Sequence, residues 1–242
     1  MLIKHKGINV NVKIIGNGEV PILFLHGWGG STKSFDFVVR QLRFNYKAIF
    51  IDFPPFGKSD EPNVAYTLFD YVDLVCIVLK KLNISKPIVV GHSFGGRIAI
   101  VLSAMERTNM LVLVSSAGIK VRRSLKYYIK IYLYKLCKKL KIKLNTGSKD
   151  YNNLSKTMQQ TLINIVNKNL DTYAKTVNVP TLIFWGKKDK ETKPYMAYKL
   201  SRYIKKSELI IIKNAGHFSY IQEYDMFIKT LNYFIKENLW IS

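Results

Sequence analysis

The stretch that most restricts the fold runs from Pro87 to Ala99 and reads Pro-Ile-Val-Val-Gly-His-Ser-Phe-Gly-Gly-Arg-Ile-Ala. Its first half contains three branched apolar residues, which favour a buried strand, and the residues from Gly95 onward favour a helix. Ser93 therefore lies in a turn between a strand and a helix, in the pattern Gly-x-Ser-x-Gly. Such a turn holds a serine hydroxyl clear of its own backbone, where it can act as a nucleophile. The alternative is a glycine-rich turn with an ordinary surface serine.

Strand-like and helix-like segments alternate over most of the chain. The pattern predicts strands at 8–15, 21–25, 46–51, 88–90, 110–114, 181–185 and 208–212, and helices at 34–43, 66–82, 96–106, 194–204 and 220–234. Gly16-Asn17-Gly18 between the first two strands predicts a hairpin. The alternation as a whole predicts an α/β fold, with a mostly parallel sheet covered by helices on both faces.

The alternation stops after residue 117, where helical patterns follow one another without a strand. We predict a core domain formed by residues 1–117 and 179–242, with residues 118–178 inserted as a helical cap. In the first predicted cap helix, 124–144, Tyr127 and Tyr134 can share one side and are predicted to line a substrate pocket.

A serine nucleophile needs a base, and the chain has four histidines: His5, His26, His92 and His217. His92 is adjacent to the serine, so its side chain is expected to point away from the hydroxyl. His217 follows the last predicted strand, where a loop can place an imidazole at the carboxyl edge of the sheet. We predict His217 as the general base, the alternative being a surface loop histidine.

The base in turn needs a carboxylate that orients it. Asp189 follows the preceding predicted strand and would lie at the same edge of the sheet, which makes it the predicted acid. The competing carboxylates are Asp52, Asp60 and Glu191.

A glycine-rich loop, His26-Gly27-Trp28-Gly29-Gly30, follows the second predicted strand. An acyl intermediate needs two N–H donors for its oxyanion, and in this order of elements we predict the amides of Trp28 and Phe94. His26, Gly27 and Gly29 are predicted to contact substrate.

The net charge of +22 raises nucleic acid as a partner, but only seven of the 38 basic residues are arginine and no nucleic-acid-binding motif is present. Specific nucleic-acid binding is therefore not expected. No zinc-ligand spacing or dinucleotide fingerprint is found, so neither a metal nor a cofactor is expected. Cys76 and Cys137 suit reduced thiols, and no signal-peptide pattern opens the chain. These observations predict a cytoplasmic protein.

Positive charge is concentrated in the predicted cap. Eleven basic residues and one acidic residue lie between 118 and 150. One interpretation is a solvated lid, because lysine is usually exposed. The other is a weak association with an anionic membrane surface or attraction of an acidic substrate.

These motifs resemble those of the α/β-hydrolase fold family, over almost the whole chain. The similar elements are His-Gly-x-Gly-Gly, Asp-x-Pro-x-x-Gly-x-Ser, Gly-x-Ser-x-Gly-Gly and Gly-His-Phe, and the cap opening at 116–120 is similar to that of small uncharacterised bacterial hydrolases. Two positions differ: Pro55 replaces a usual glycine, and the proline that commonly follows Gly-His-Phe is absent. The resemblance implies Ser93, Asp189 and His217 as a triad, with the Trp28 and Phe94 amides as oxyanion hole.

A serine rather than an aspartate nucleophile argues against the dehalogenase and epoxide-hydrolase branches of this family. The leading hypothesis is a serine hydrolase that cleaves a carboxylic ester or thioester of a small or lipid-like molecule. A C–C bond hydrolase with the same triad is a second hypothesis. The third is a non-catalytic small-molecule-binding protein that keeps the fold, because a fold does not determine a function.

Overall fold

The computed structural model describes residues 1–120 and 149–239. Its centre is an eight-stranded sheet in the order β1-β2-β4-β3-β5-β6-β7-β8. The strands are β1 (Leu2–His5), β2 (Ile8–Ile15), β3 (Val20–Leu25), β4 (Tyr46–Ile51), β5 (Ile88–His92), β6 (Met110–Val114), β7 (Thr181–Gly186) and β8 (Ser207–Ile212). β1 pairs antiparallel with β2, and β2 with β4, whereas the pairs from β4 to β8 are all parallel. The predicted α/β fold with a mostly parallel sheet is confirmed.

Helices flank this sheet. A short 3-10 helix (Thr32–Phe35) leads into α1 (Asp36–Val39), and the others described are α2 (Leu68–Lys81), α3 (Phe94–Ala104), α4 (Lys149–Asn152), α5 (Lys156–Val166), α6 (Asp171–Thr176), α7 (Tyr195–Tyr203), α8 (Ser219–Gln222) and α9 (Tyr224–Leu239). Thr67 caps α2, because its side chain accepts from the Asp70 amide while the Asp70 carboxylate accepts from the Thr67 amide.

The central strands are buried on both faces, which explains their continuous apolar sequences. Every residue of β5, β6 and β7 is buried. Successive side chains enter two different cores: Leu23 and Val89 pack with α2 and α3 on one face, and Phe24 and Val90 pack with α9 on the other. Because the strands from β4 to β8 in this order are paired in parallel, the carboxyl ends of β3, β5, β7 and β8 lie at one edge of the sheet.

The predicted hairpin between β2 and β3 is wrong. β2 pairs with β1 and β4, whereas β3 lies between β4 and β5 in the parallel part of the sheet. A glycine-rich turn reverses the chain without choosing the partner of the next strand. Because β3 is apolar on both faces, burial places it in the middle of the sheet, away from the antiparallel end where β1 and β2 lie.

Two helix predictions needed adjustment, and β1 was not predicted. The helix expected at 34–43 is shorter, since Gln41 and Leu42 donate to carbonyls only three residues back, as in a 3-10 turn. The closing helix is divided at Glu223, where the backbone leaves helical geometry.

Between β6 and β7 the described residues form α4, α5 and α6. The core and cap boundaries stay a prediction, and the first predicted cap helix with Tyr127, Tyr134 and Cys137 lies outside the described residues. Within the described ranges, no helix is both long and apolar enough to cross a membrane.

Candidate active site

Ser93 occupies the turn from β5 to α3 with φ 49° and ψ −109°. A positive φ is uncommon outside glycine and costs conformational energy, so it marks a backbone held in place by its surroundings. The chain passes so close to β3 that a Cβ at Gly95 would lie 2.2 Å from the Leu25 carbonyl oxygen. The Ser93 amide is also bonded to the Val114 carbonyl of β6 at 3.1 Å. The two neighbouring strands thus hold the serine in its strained position.

His217 and Asp189 meet at the same edge. The Nδ1 atom of His217 lies 2.9 Å from Oδ2 of Asp189, and the Asp189 side chain is completely buried. The two residues come from the loops that follow β8 and β7. The predicted base and the predicted acid are therefore in hydrogen-bond contact.

The Asp189 carboxylate is saturated with donors from its own loop. Its Oδ1 atom accepts from the amides of Glu191 and Thr192, both at 2.9 Å, and its Oδ2 atom accepts from the Thr192 hydroxyl at 2.7 Å. Burial would raise the pKa of this carboxyl, but the hydrogen bonds from His217 and Thr192 outweigh it and hold the pKa below its usual value. Asp189 therefore stays ionised beside the imidazole.

Thr192 also connects this loop to the sheet. Its hydroxyl lies 2.9 Å from the Ser115 carbonyl, and its own carbonyl accepts from the indole N–H of Trp185 at 2.7 Å. Sequence reasoning missed this residue. The spacing Asp-x-x-Thr in a loop after a strand is the signal that could have identified it, because short polar side chains bond to amides two or three residues on.

His92 supports the loop that carries His217. Its Nε2 atom lies 3.1 Å from the His217 carbonyl oxygen, and its ring packs 4.8 Å from the His217 ring. Burial lowers the pKa of His92 to about 3, so the ring is neutral and Nε2–H donates to the carbonyl. Its side chain therefore contacts His217. The sequence did not indicate this supporting role.

His26, predicted to contact substrate, is instead buried behind the glycine-rich loop. Its Nδ1–H donates to the Gly27 carbonyl at 2.7 Å, and its Nε2 accepts from the Phe53 amide at 2.9 Å. Burial lowers the pKa of His26 to about 4, consistent with this neutral tautomer. Both ring nitrogens therefore bond to backbone, and the residue fixes the shape of the loop.

Two competing carboxylates are engaged elsewhere. Asp52 is buried and accepts hydrogen bonds from the amides of Thr32 and Lys58 and from the Asn11 side chain, so it joins the glycine-rich loop to the loop after β4. Asp60 accepts from the amide and side chain of Asn9. In this structure, neither contacts His217.

A cavity of about 350 Å³ lies over these residues. Its lining includes five predicted site residues, Gly27, Trp28, Gly29, Ser93 and His217, together with Glu191, Phe218 and Tyr220. Within the described ranges, the amides of Trp28 and Phe94 donate to no protein acceptor. Trp28 lines the cavity and Phe94 directly follows Ser93, so both donors stay unpaired beside the serine, as the predicted oxyanion hole requires.

Glu191, the third competing carboxylate, reaches the other nitrogen of the base. Its Oε2 atom lies 3.2 Å from Nε2 of His217, and its side chain is 67% exposed. Ser93 lines the same cavity, but the described residues show no hydrogen bond between its hydroxyl and His217.

A strained serine, an imidazole and a buried carboxylate at the carboxyl edge of a doubly covered parallel sheet define a class of hydrolytic enzyme. The family model for the alpha/beta hydrolase fold matches residues 20–134 and 123–224 of this chain. The chain belongs to the α/β-hydrolase family.

Two curated bacterial proteins are similar over almost their full length. An AB hydrolase superfamily protein of Bacillus subtilis, YisY, is 28% identical, and the match covers 89% of this chain and 91% of the relative. A pimeloyl-(acyl-carrier protein) methyl ester esterase of Wigglesworthia glossinidia brevipalpis is 27% identical over 93% of this chain and 97% of the relative.

Solved structures share the fold. An esterase from Exiguobacterium antarcticum superposes with a TM-score of 0.79 at 23% identity, covering 97% of this chain and 98% of that one. A meta-cleavage product hydrolase from Pseudomonas fluorescens IP01 gives 0.76 at 22% identity, covering 98% and 97%. An esterase and a meta-cleavage product hydrolase are thus both built on this architecture.

Proposed function

We propose that the protein is a serine hydrolase that cleaves the carboxylic ester or thioester of a small or lipid-like molecule. Ser93 is the nucleophile, His217 the general base and Asp189 the acid that orients the base. The observation that carries the proposal is the 2.9 Å contact between His217 and the buried Asp189, made over the cavity that Ser93 lines.

In the first half-reaction, the Ser93 oxygen forms a bond to the acyl carbon while its proton passes to Nε2 of His217. Negative charge moves onto the former carbonyl oxygen, within reach of the Trp28 and Phe94 amides. The tetrahedral intermediate then breaks the bond to the leaving group, which takes the proton from His217 and departs as an alcohol or thiol. The acyl group remains on Ser93.

In the second half-reaction, His217 takes a proton from a water molecule, and the water oxygen attacks the acyl carbon. The new intermediate breaks its bond to the Ser93 oxygen, which recovers a proton from His217. The carboxylic acid leaves, and the protein returns to its starting state. The Asp189 carboxylate stays ionised throughout and stabilises the imidazolium in both halves.

An ester substrate is also consistent with the relative from Wigglesworthia, whose name assigns it a methyl ester. Hydrolysis of a C–C bond uses the same residues, but the similarity to a meta-cleavage product hydrolase is limited to the fold at 22% identity. The ester reaction is therefore the better-supported one.

The test is a panel of p-nitrophenyl esters of increasing acyl length, matching thioesters and a vinylogous diketone, assayed with the unmodified protein and with Ser93→Ala. We expect ester or thioester turnover that Ser93→Ala abolishes. Turnover of the diketone alone would assign C–C hydrolysis instead. If the protein bound compounds of this panel without turning any of them over, it would be assigned as a binding protein.

A further inference from the structure

The imidazole of His217 lies between two carboxylates. Asp189 contacts Nδ1 at 2.9 Å, and Glu191 contacts Nε2 at 3.2 Å. The two acids differ in setting, since the Asp189 side chain is fully buried and the Glu191 side chain is 67% exposed. Glu191 is also anchored through its backbone, whose amide donates to Asp189 Oδ1. The backbone of Glu191 is therefore held in place, whereas its exposed side chain can change conformation.

The positions of the protons follow from the donor and acceptor properties of these groups. An ionised carboxylate only accepts hydrogen bonds, so each contact is attractive only when the facing nitrogen carries a proton. With a carboxylate at both nitrogens, the arrangement fits the doubly protonated imidazolium. That form of His217 cannot take the proton of Ser93.

The other groups around the ring do not change this argument. His92 packs against it but is neutral, because burial lowers its pKa to about 3. Tyr220 lines the cavity and is also neutral, because burial raises its pKa to about 12. Lys188 and Lys190 are exposed residues of the loop that carries both acids.

We propose that Glu191 is a positioning residue that holds His217 away from Ser93 in the free protein, and that a bound substrate displaces it. This inference rests on the proposed hydrolase function. The leaving group must approach Nε2 to be protonated, so it competes for the space that the Glu191 carboxylate now occupies. When the Ser93 hydroxyl replaces the Glu191 carboxylate as the partner of Nε2, His217 can act as the base.

The size of the effect follows from the exposure of Glu191. Ion pairs of exposed side chains shift an equilibrium by at most about five-fold. Removing the charge should therefore relieve a two- to five-fold inhibition rather than switch activity on from zero. Salt screens such a pair, so high ionic strength should have a similar effect.

The experiment compares the unmodified protein with Glu191→Gln and Glu191→Ala, using p-nitrophenyl acetate from pH 5 to pH 9. We expect both variants to raise kcat/KM about two- to five-fold at the acid end and to match the unmodified protein at the alkaline end, because the Glu191 contact inhibits only by favouring the imidazolium form. The pH profile of kcat should stay the same, because the substrate has already displaced Glu191 in the complex. In 1 M NaCl the difference in kcat/KM should shrink.

Glu237→Gln is the matched control, since it removes the same charge from the exposed side of α9. It should change none of these quantities. If both Glu191 variants instead lowered kcat, Glu191 would assist the reaction and the proposal would be overturned. If kcat/KM of Glu237→Gln rose as much as that of Glu191→Gln, the proposal would also be overturned, because the effect would then reflect net charge.

A second measurement needs no turnover. In nuclear magnetic resonance spectra of the free protein, Glu191→Gln removes the carboxylate that faces Nε2 of His217 and should change the chemical shift of that nitrogen, whereas Glu237→Gln should leave it unchanged. An unchanged Nε2 shift in Glu191→Gln contradicts the proposal even in a protein without esterase activity. A changed shift with no esterase activity would support the contact and refute the proposed function.

Discussion

The hydroxyl of Thr192 lies 2.7 Å from Oδ2 of Asp189, the same carboxylate oxygen that His217 contacts. One side chain thus stabilises both the ionised acid and the loop on which it stands. Because the hydroxyl also lies 2.9 Å from the Ser115 carbonyl at the end of β6, the acid is positioned relative to the strand beside the nucleophile.

The first prediction concerns this contact. Thr192→Val keeps the shape of the side chain but removes the hydroxyl, so the hydrogen bond that its single proton makes, to Asp189 Oδ2 at 2.7 Å or to the Ser115 carbonyl at 2.9 Å, is lost. We expect kcat/KM to fall about five-fold and the free energy of unfolding to fall by about 1 to 2 kcal/mol. Thr192→Ser restores the hydroxyl and should recover most of the activity. Equal activity in the two variants would show that the hydroxyl does not position Asp189.

The second prediction concerns the triad as a unit. Ser93→Ala, His217→Ala and Asp189→Asn should each reduce ester turnover by about a thousand-fold or more, and the combined variant should be little worse than Ser93→Ala alone. Circular dichroism should show an unchanged fold. Asp60→Asn is the control, because its carboxylate bonds to Asn9 outside the cavity. Near-normal turnover in Asp189→Asn would exclude this acid assignment.

The third prediction is a loss of stability in acid. Burial lowers the pKa of His26 to about 4 and that of His92 to about 3, whereas both rings take up protons near pH 6.5 in the unfolded chain. Between those values the unfolded chain binds more protons, so stability is full above pH 6.5 and declines as pH falls. His26 alone should lower the free energy of unfolding by roughly 3 kcal/mol between pH 7.5 and pH 4.

Urea unfolding at pH 7.5, 6 and 5 measures that decline. A nuclear magnetic resonance titration of the native state identifies its source, because the ring signals of His26 and His92 should stay at their neutral positions down to pH 5. Ring signals that titrate near pH 6.5 in the folded protein would contradict this prediction.

The fourth prediction concerns Ser219, the residue that directly follows Gly216-His217-Phe218. Its hydroxyl is buried and has no hydrogen-bond partner within the described part of the chain. Burying an unpaired hydroxyl is unfavourable, so Ser219→Ala should raise the free energy of unfolding by up to about 1 kcal/mol. Ser103→Ala is the matched comparison, because its buried hydroxyl accepts from Thr108 and its removal should destabilise the protein. Destabilisation of equal size by both changes would contradict the account of Ser219.

The sequence predicted the elements whose signals are local. Alternation of apolar and polar residues indicated β2, and apolar runs indicated β3 to β8, all to within two residues of their ends. The central strands carry such runs because they are buried on both faces. The pattern around Ser93 indicated the turn from strand to helix, since glycine is required where the backbone passes close to Leu25. The positions of Asp189 and His217 after successive strands brought them to one edge.

Partners that are distant in sequence were not predictable in this way. The pairing of β2 with β4 depends on which strand burial forces into the middle of the sheet, and a turn sequence does not contain that information. The same applies to His92, whose ring reaches a carbonyl 125 residues further on. The inward orientation of His26 depends likewise on the Phe53 amide from another loop.

The most direct test of the central claim is covalent labelling with a fluorophosphonate, followed by mass spectrometry of the tryptic peptide that spans residues 82–97. The account predicts a single adduct on Ser93, no adduct in Ser93→Ala, and labelling slowed by about a hundred-fold or more in His217→Ala, because the hydroxyl then has no base. An unlabelled Ser93 in the folded protein, or labelling as fast in His217→Ala as in the unmodified protein, would contradict the proposal that these residues form an active site.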